Sequence, residues 1–167
     1  ASAFGAAGVM PSPSIRAAPI KSGMHIRNEN SAARSGAMPA MRPAGFTLTF
    51  HFDGGMMYHF EDIIIAEDSC VYKQNLKGSV LSKRFKLTAV QLDSLYAMLQ
   101  QNQFTQISYY NKGMVYDRGG ERISIGWGNN SKMFTVNDSQ SNFVSPEWMS
   151  NWNRICRYVK ALPAQKG

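Results

Sequence analysis

His51, Asp53 and His59 stand close together in the sequence and carry the side chains of a metal site. Imidazole nitrogen and carboxylate oxygen both ligate zinc-like cations. His51 and Asp53 are two residues apart, so in a strand they point to the same side. However, Asp53 opens an Asp-Gly-Gly turn, which accounts for it without a metal. His59 falls outside the apolar face in the strand register favoured below. The expectation is no bound metal and no cofactor.

Nucleophilic chemistry has less to work with. Cys70 and Cys156 lack Cys-x-x-Cys spacing and a nearby histidine cluster. They are two buried thiols or one disulfide. A thiolate nucleophile needs a positioned base, and the three histidines are His25, His51 and His59. Glu67 and Asp68 are adjacent and face opposite ways in a strand, which does not make a glycosidase pair. Gly-x-Ser-x-Gly, His-Glu-x-x-His and a phosphate-binding glycine loop are all missing from the sequence. The expectation is a protein that is not an enzyme.

Binding is better provided for. Tyr109, Tyr110, Tyr116 and Trp127 lie among Gly, Asn and Arg118. Amphipathic aromatics and arginine on polar segments supply recognition contacts. A second set of binding candidates is the bases of the first 45 residues: Arg16, Lys21, Arg27, Arg34 and Arg42. Lys77, Lys83, Arg84 and Lys86, with Phe85 among them, form the most basic stretch. Strand alternation puts Arg84 and Lys86 on one side and Lys83 and Phe85 on the other, so this stretch reads as a solvated sheet face.

These residues need elements to hold them. Residues 46–52 alternate, with Phe46, Leu48, Phe50 and Phe52 on one face, and predict a half-buried strand. A three-residue loop at Asp53-Gly54-Gly55 would pair Phe52 with Met56, Phe50 with Tyr58 and Leu48 with Phe60. Further strands are expected at 63–66, 70–74 and 80–86. Thr88 and Gln91 make a capping box for a helix over 89–101, whose apolar stripe is Leu92, Leu95, Tyr96 and Leu99. Residues 108–120 read as loop. A second hairpin joins 122–127 to 132–136. Ser145-Pro146-Glu147 opens a last helix with Ser145 as N-cap, and Trp148, Trp152, Ile155, Val159 and Leu162 form its buried face. This order predicts an α+β fold: an antiparallel sheet of five to six strands with both helices on one face.

The stretch Phe85-Lys86-Leu87-Thr88-Ala89-Val90-Gln91-Leu92-Asp93-Ser94-Leu95, followed by Gln101-Asn102-Gln103-Phe104, resembles a pattern in uncharacterised small exported or lipoprotein-like domains of Bacteroidota-type envelopes. In that pattern a basic strand runs into a Leu-Thr-x-x-Gln-Leu helix that closes with Asn-x-Phe. The resemblance implies an exported domain in the periplasm, at the outer membrane or secreted, with no assigned activity. This chain departs from the pattern in having no lipobox cysteine in its first 45 residues.

Composition divides the chain of 167 residues at about residue 45. The first 45 hold eleven Ala, six Ser, five Gly and five Pro, and five bases against the single acid Glu29. Such a segment buries too little apolar surface to offset its ordering entropy, so a flexible arm over 1–45 is expected ahead of one domain over 46–167. It reads as a transit peptide, a spacer behind a secretory signal or an assembly arm. With a net charge of +7, the arm holds +4 (five bases less one acid) and the rest +3. A positive balance favours acidic partners. No apolar run is long enough to span a membrane. The leading expectation is an accessory subunit that binds other protein subunits in the bacterial envelope. The alternative is a processed organellar subunit whose basic arm contacts RNA.

Overall fold

The computed structural model describes residues 36–57, 59–113, 115–128 and 132–164. The expectation of a flexible arm falls on residues 1–35 as well as 36–45, and its first part lies outside the described residues.

The chain is α+β. Strands β1 (Thr47–Asp53), β2 (Phe60–Ile65), β3 (Cys70–Leu76), β4 (Ser79–Phe85), β6 (Gly120–Trp127) and β7 (Lys132–Asp138) form one antiparallel sheet in the order β4-β3-β2-β1-β6-β7. Strands β5 (Tyr109–Asn111) and β8 (Asn142–Val144) pair as a separate two-stranded ribbon. Helix α1 (Ala89–Gln101) follows β4, and α2 (Met149–Ala161) follows β8.

Period-two alternation sorts each strand into two faces. Leu48, Phe50, Ile63, Ile65, Ile123, Ile125 and Val136 are buried, and the pairing Leu48↔Ile65, Leu48↔Ile125, Phe50↔Ile63 and Ile123↔Val136 places them on one side of the sheet. Leu92, Leu95, Tyr96 and Leu99 of α1, and Trp152, Ile155, Cys156 and Val159 of α2, join them in a single core. Both helices therefore cover one face, as the element order predicts. The opposite face carries Thr49, His51, Asp62, Lys73, Arg84, Arg122 and Ser124, and among the described residues no helix covers it, the usual arrangement for an antiparallel sheet.

The capping box forms as expected: Thr88 Oγ1 accepts from Gln91 N, and Gln91 Oε1 accepts from Thr88 N. The last helix opens differently. Pro146–Trp148 is a 3-10 turn, and Ser145 caps nothing with its side chain. Its hydroxyl accepts instead from Ser108 Oγ at 3.0 Å, and its N–H donates to Ser108 O. Trp148 packs against the core but is only half-buried; Cys156 takes the enclosed position on that helix face.

The first hairpin also corrects its expected register. Asp53 pairs with Phe60, Phe52 with Glu61, Phe50 with Ile63 and Leu48 with Ile65. The connection spans residues 54–59, not three residues. Asp53 Oδ1 accepts from Gly55 N at 2.8 Å, Gly54 N donates to His59 O at 2.7 Å, and Gly55 takes φ +65. The longer loop sets Ile63 and Ile65, which alternate inward, against the β1 core residues. A one-residue slip would turn them outward.

Residues 36–45 are held to the domain rather than trailing from it. Met38 packs against the core. Tyr96 Oη and Gln100 Nε2 both donate to Pro39 O. Arg42 bridges Glu67 at 2.9 Å and Asp93 at 2.8 Å, tying this segment to the β2–β3 connection and to α1.

Candidate functional site

The β5–β8 ribbon is the best-built surface among the candidates. Tyr109↔Val144, Tyr110↔Phe143 and Asn111↔Asn142 face one another, and Lys112 N donates to Ser141 O. Residues 109–111, read as loop from the sequence, are thus a strand. Three residues are too few to show alternation.

Tyr110 and Phe143 stack, with ring centroids 5.9 Å apart. Lys112 Nζ lies 4.4 Å from the Phe143 ring centroid, and the Arg118 guanidinium lies 4.0 Å from it. The negative face of the ring attracts both cations. Arg118 is fixed further by Asp138 Oδ1 at 2.8 Å and by the carbonyls of Asn142 and Gln140. Asp138 Oδ1 also accepts from Val144 N. One arginine–carboxylate pair therefore fastens the ribbon to the end of β7. The next loop is tied to the ribbon through Val115 N and Ser141 Oγ. Tyr116, next in the chain to Val115, is 77% exposed.

The sequence-predicted residues therefore take different roles. Tyr110, Tyr116 and Arg118 belong to this surface. Tyr109 is half-buried against the core. Trp127 is 7% exposed, stacked on Phe134 and part of the core. Arg42 is paired with Glu67 and Asp93. Arg16, Lys21, Arg27 and Arg34 lie outside the described residues. Phe143 and Lys112 were not singled out in the sequence. An Asn-Phe-Val stretch after a turn was the only available signal for Phe143.

His51 and His59 have separate partners. His51 Nδ1 sits 2.6 Å from Asp62 Oδ1 on the open sheet face, next to Arg122 on β6. His59 packs edge-on against Phe52 at 5.4 Å, and its Nε2 is 3.4 Å from Gln74 Nε2. Asp53 is committed to the turn. Among the described residues no three His, Cys, Asp or Glu side chains converge as metal ligands. A shallow depression on the open face is lined by Thr49, His51, Asp62, Ile64, Arg122 and Ser124. Ser124 Oγ there is already paired with Thr135 Oγ1 at 2.8 Å.

Cys70 and Cys156 are free buried thiols. Burial pushes both thiols up from their ordinary value, and the Glu121 carboxylate adds to the effect at Cys156. A thiol held protonated is a poor nucleophile. Among the described residues no helix is long and apolar enough to cross a membrane. No protein-family model and no curated protein matches the chain.

Proposed function

We propose that this domain is a non-enzymatic accessory subunit of a protein assembly in the bacterial cell envelope, and that it acts by binding. One observation carries the reading: the Tyr110–Phe143 stack, held under Lys112 and Arg118 beside the exposed Tyr116. Tyrosine and arginine side chains dominate binding energy once they are buried by a partner. Here the stack, the cation contacts and the Arg118–Asp138 pair already fix the geometry. Less side-chain entropy is then lost on association. The positive charge of Lys112 and of the arm bases Arg16, Lys21, Arg27 and Arg34 favours an acidic partner surface. The envelope setting rests on the resemblance of residues 85–104.

Site-specific photocrosslinking in an envelope extract tests this. A photoreactive phenylalanine analogue in place of Tyr116 should yield one dominant crosslinked protein. The same analogue in place of Thr49, on the open sheet face, should not. Equal crosslinking from both positions, or none from position 116, would overturn the reading.

A further inference from the structure

We propose that the free edge of β4 receives an extended acidic segment of a partner protein, which adds to the sheet antiparallel to β4. Among the described residues the main sheet ends at β4, whose one ladder neighbour is β3. The other end of the sheet differs, because the ribbon of β5 and β8 lies against β7. An edge strand leaves a row of backbone donors and acceptors unpaired, and proteins usually blunt such edges with proline, bulges, short length or charged side chains. β4 has no proline and no bulge; its one such device is charge, Lys83 and Arg84, which repels a like-charged strand and attracts an acidic one. It is seven residues long and keeps an unbroken register from Cys70↔Phe85 to Leu76↔Ser79.

Most of its side chains are also turned to the surface, Phe85 excepted, which packs against the core. Every β4 residue from Ser79 to Arg84 is exposed, so the strand lies open on both faces. Val80 is 64% and Leu81 57% exposed. They contribute little to the core of this domain. Residues 69–92 contain five bases, Lys73, Lys77, Lys83, Arg84 and Lys86, and no acid. Among the described residues Lys73, Lys77, Arg84 and Lys86 have no ion-pair partner, and Lys83 Nζ donates only to Pro163 O. A tight turn supports the hairpin, with φ +51 at Lys77 and +85 at Gly78, the type I′ signature.

Charge selects the occupant. A second copy of this hairpin would set five bases against five, and like charges across paired strands oppose association. An acidic strand instead complements them. Alternation specifies its pattern further: Val80, Ser82 and Arg84 project to the open face, and Leu81, Lys83 and Phe85 to the helix face. An antiparallel partner thus presents two acids opposite Arg84 and Lys83, then any residue, then two apolar residues opposite Leu81 and Val80. Backbone pairing supplies affinity and the side-chain pattern supplies specificity. This surface is separate from Tyr110 and Tyr116, so its test and theirs fail independently.

Fluorescence anisotropy with the full chain and labelled short peptides tests the proposal. The probes are a Glu-Glu-Thr-Val-Val peptide, its Lys-Lys-Thr-Val-Val counterpart, the acidic peptide N-methylated at alternate residues, and an oligouridylate. The acidic peptide should bind saturably. The basic and the N-methylated peptides should each bind at least about tenfold more weakly. The Lys83→Glu/Arg84→Glu variant should reverse the charge preference, and Arg84→Glu alone, which keeps the Lys83–Pro163 contact, should weaken the acidic peptide. An N-methylated peptide as tight as its parent would reduce the effect to charge attraction and overturn strand addition. So would tighter binding of the oligouridylate, or no saturable binding of the acidic peptide.

Discussion

Cys156 remains a thiol because its surroundings penalise a thiolate. It is buried beside Glu121, which Lys160 holds, and Asp138 adds further negative charge. The native group therefore keeps its proton at a pH where the unfolded chain gives it up. A raised native value stabilises the fold in full below the unfolded value of about 8.5, and that contribution is lost progressively as pH rises above it toward the native value. Maleimide labelling at pH 8 should leave Cys70 and Cys156 unmodified in the folded protein and modify both in urea; rapid native labelling of Cys156 would contradict this burial. Arg42 gives a second residue-scale prediction. Arg42→Ala should cost about 1 kcal/mol, with less effect at high salt, because partly exposed ion pairs contribute little and are screened. Urea denaturation at two ionic strengths measures it. At this scale the sequence showed charge but not its use. Arg42 and Arg118 are both arginines in polar stretches, and only their tertiary partners, Glu67 and Asp93 for Arg42 and Asp138 for Arg118, show that each fastens one segment to another.

Among the elements, the capped helix was the most legible, because its signals are local. Thr88, Gln91 and the Leu92, Leu95, Tyr96 and Leu99 stripe fix α1 without reference to the rest of the chain. Thr88→Ala should cost about 1 kcal/mol, read by chemical denaturation, since it removes the side-chain acceptor for Gln91 N. Leu95→Ala and Trp152→Ala should each cost about 2–5 kcal/mol, because both side chains are fully buried between helix and sheet. A loss below about 1 kcal/mol for either would place it outside the core. The first hairpin was less legible. Two alternating runs flank Asp53-Gly54-Gly55, and alternation alone allows several loop lengths. The choice depends on Ile63 and Ile65 reaching Phe50 and Leu48, a contact across the sheet. β5 and β8 were hidden for a different reason: three residues each carry no period.

Among the described residues, one face of the sheet builds the core and the opposite face carries no helix. The helices absorb the apolar alternation of β1, β2, β6 and β7, while β4 and the β5–β8 ribbon extend outward at the two ends of the sheet. The α+β class and the placement of both helices followed from element order. The candidate surface was legible only in part: Tyr110, Tyr116 and Arg118 could be named, while Phe143, which stacks on Tyr110 beneath Arg118, could not. The proposed role of this ribbon is to bind a protein partner. Calorimetric titration of the crosslinked partner, purified, against the full chain tests it most directly. The Tyr110→Ala/Tyr116→Ala variant should bind at least about tenfold more weakly than the wild type, and His51→Gln/His59→Gln should bind equally well. Unchanged affinity in the tyrosine variant, or a loss confined to the histidine variant, would contradict the account.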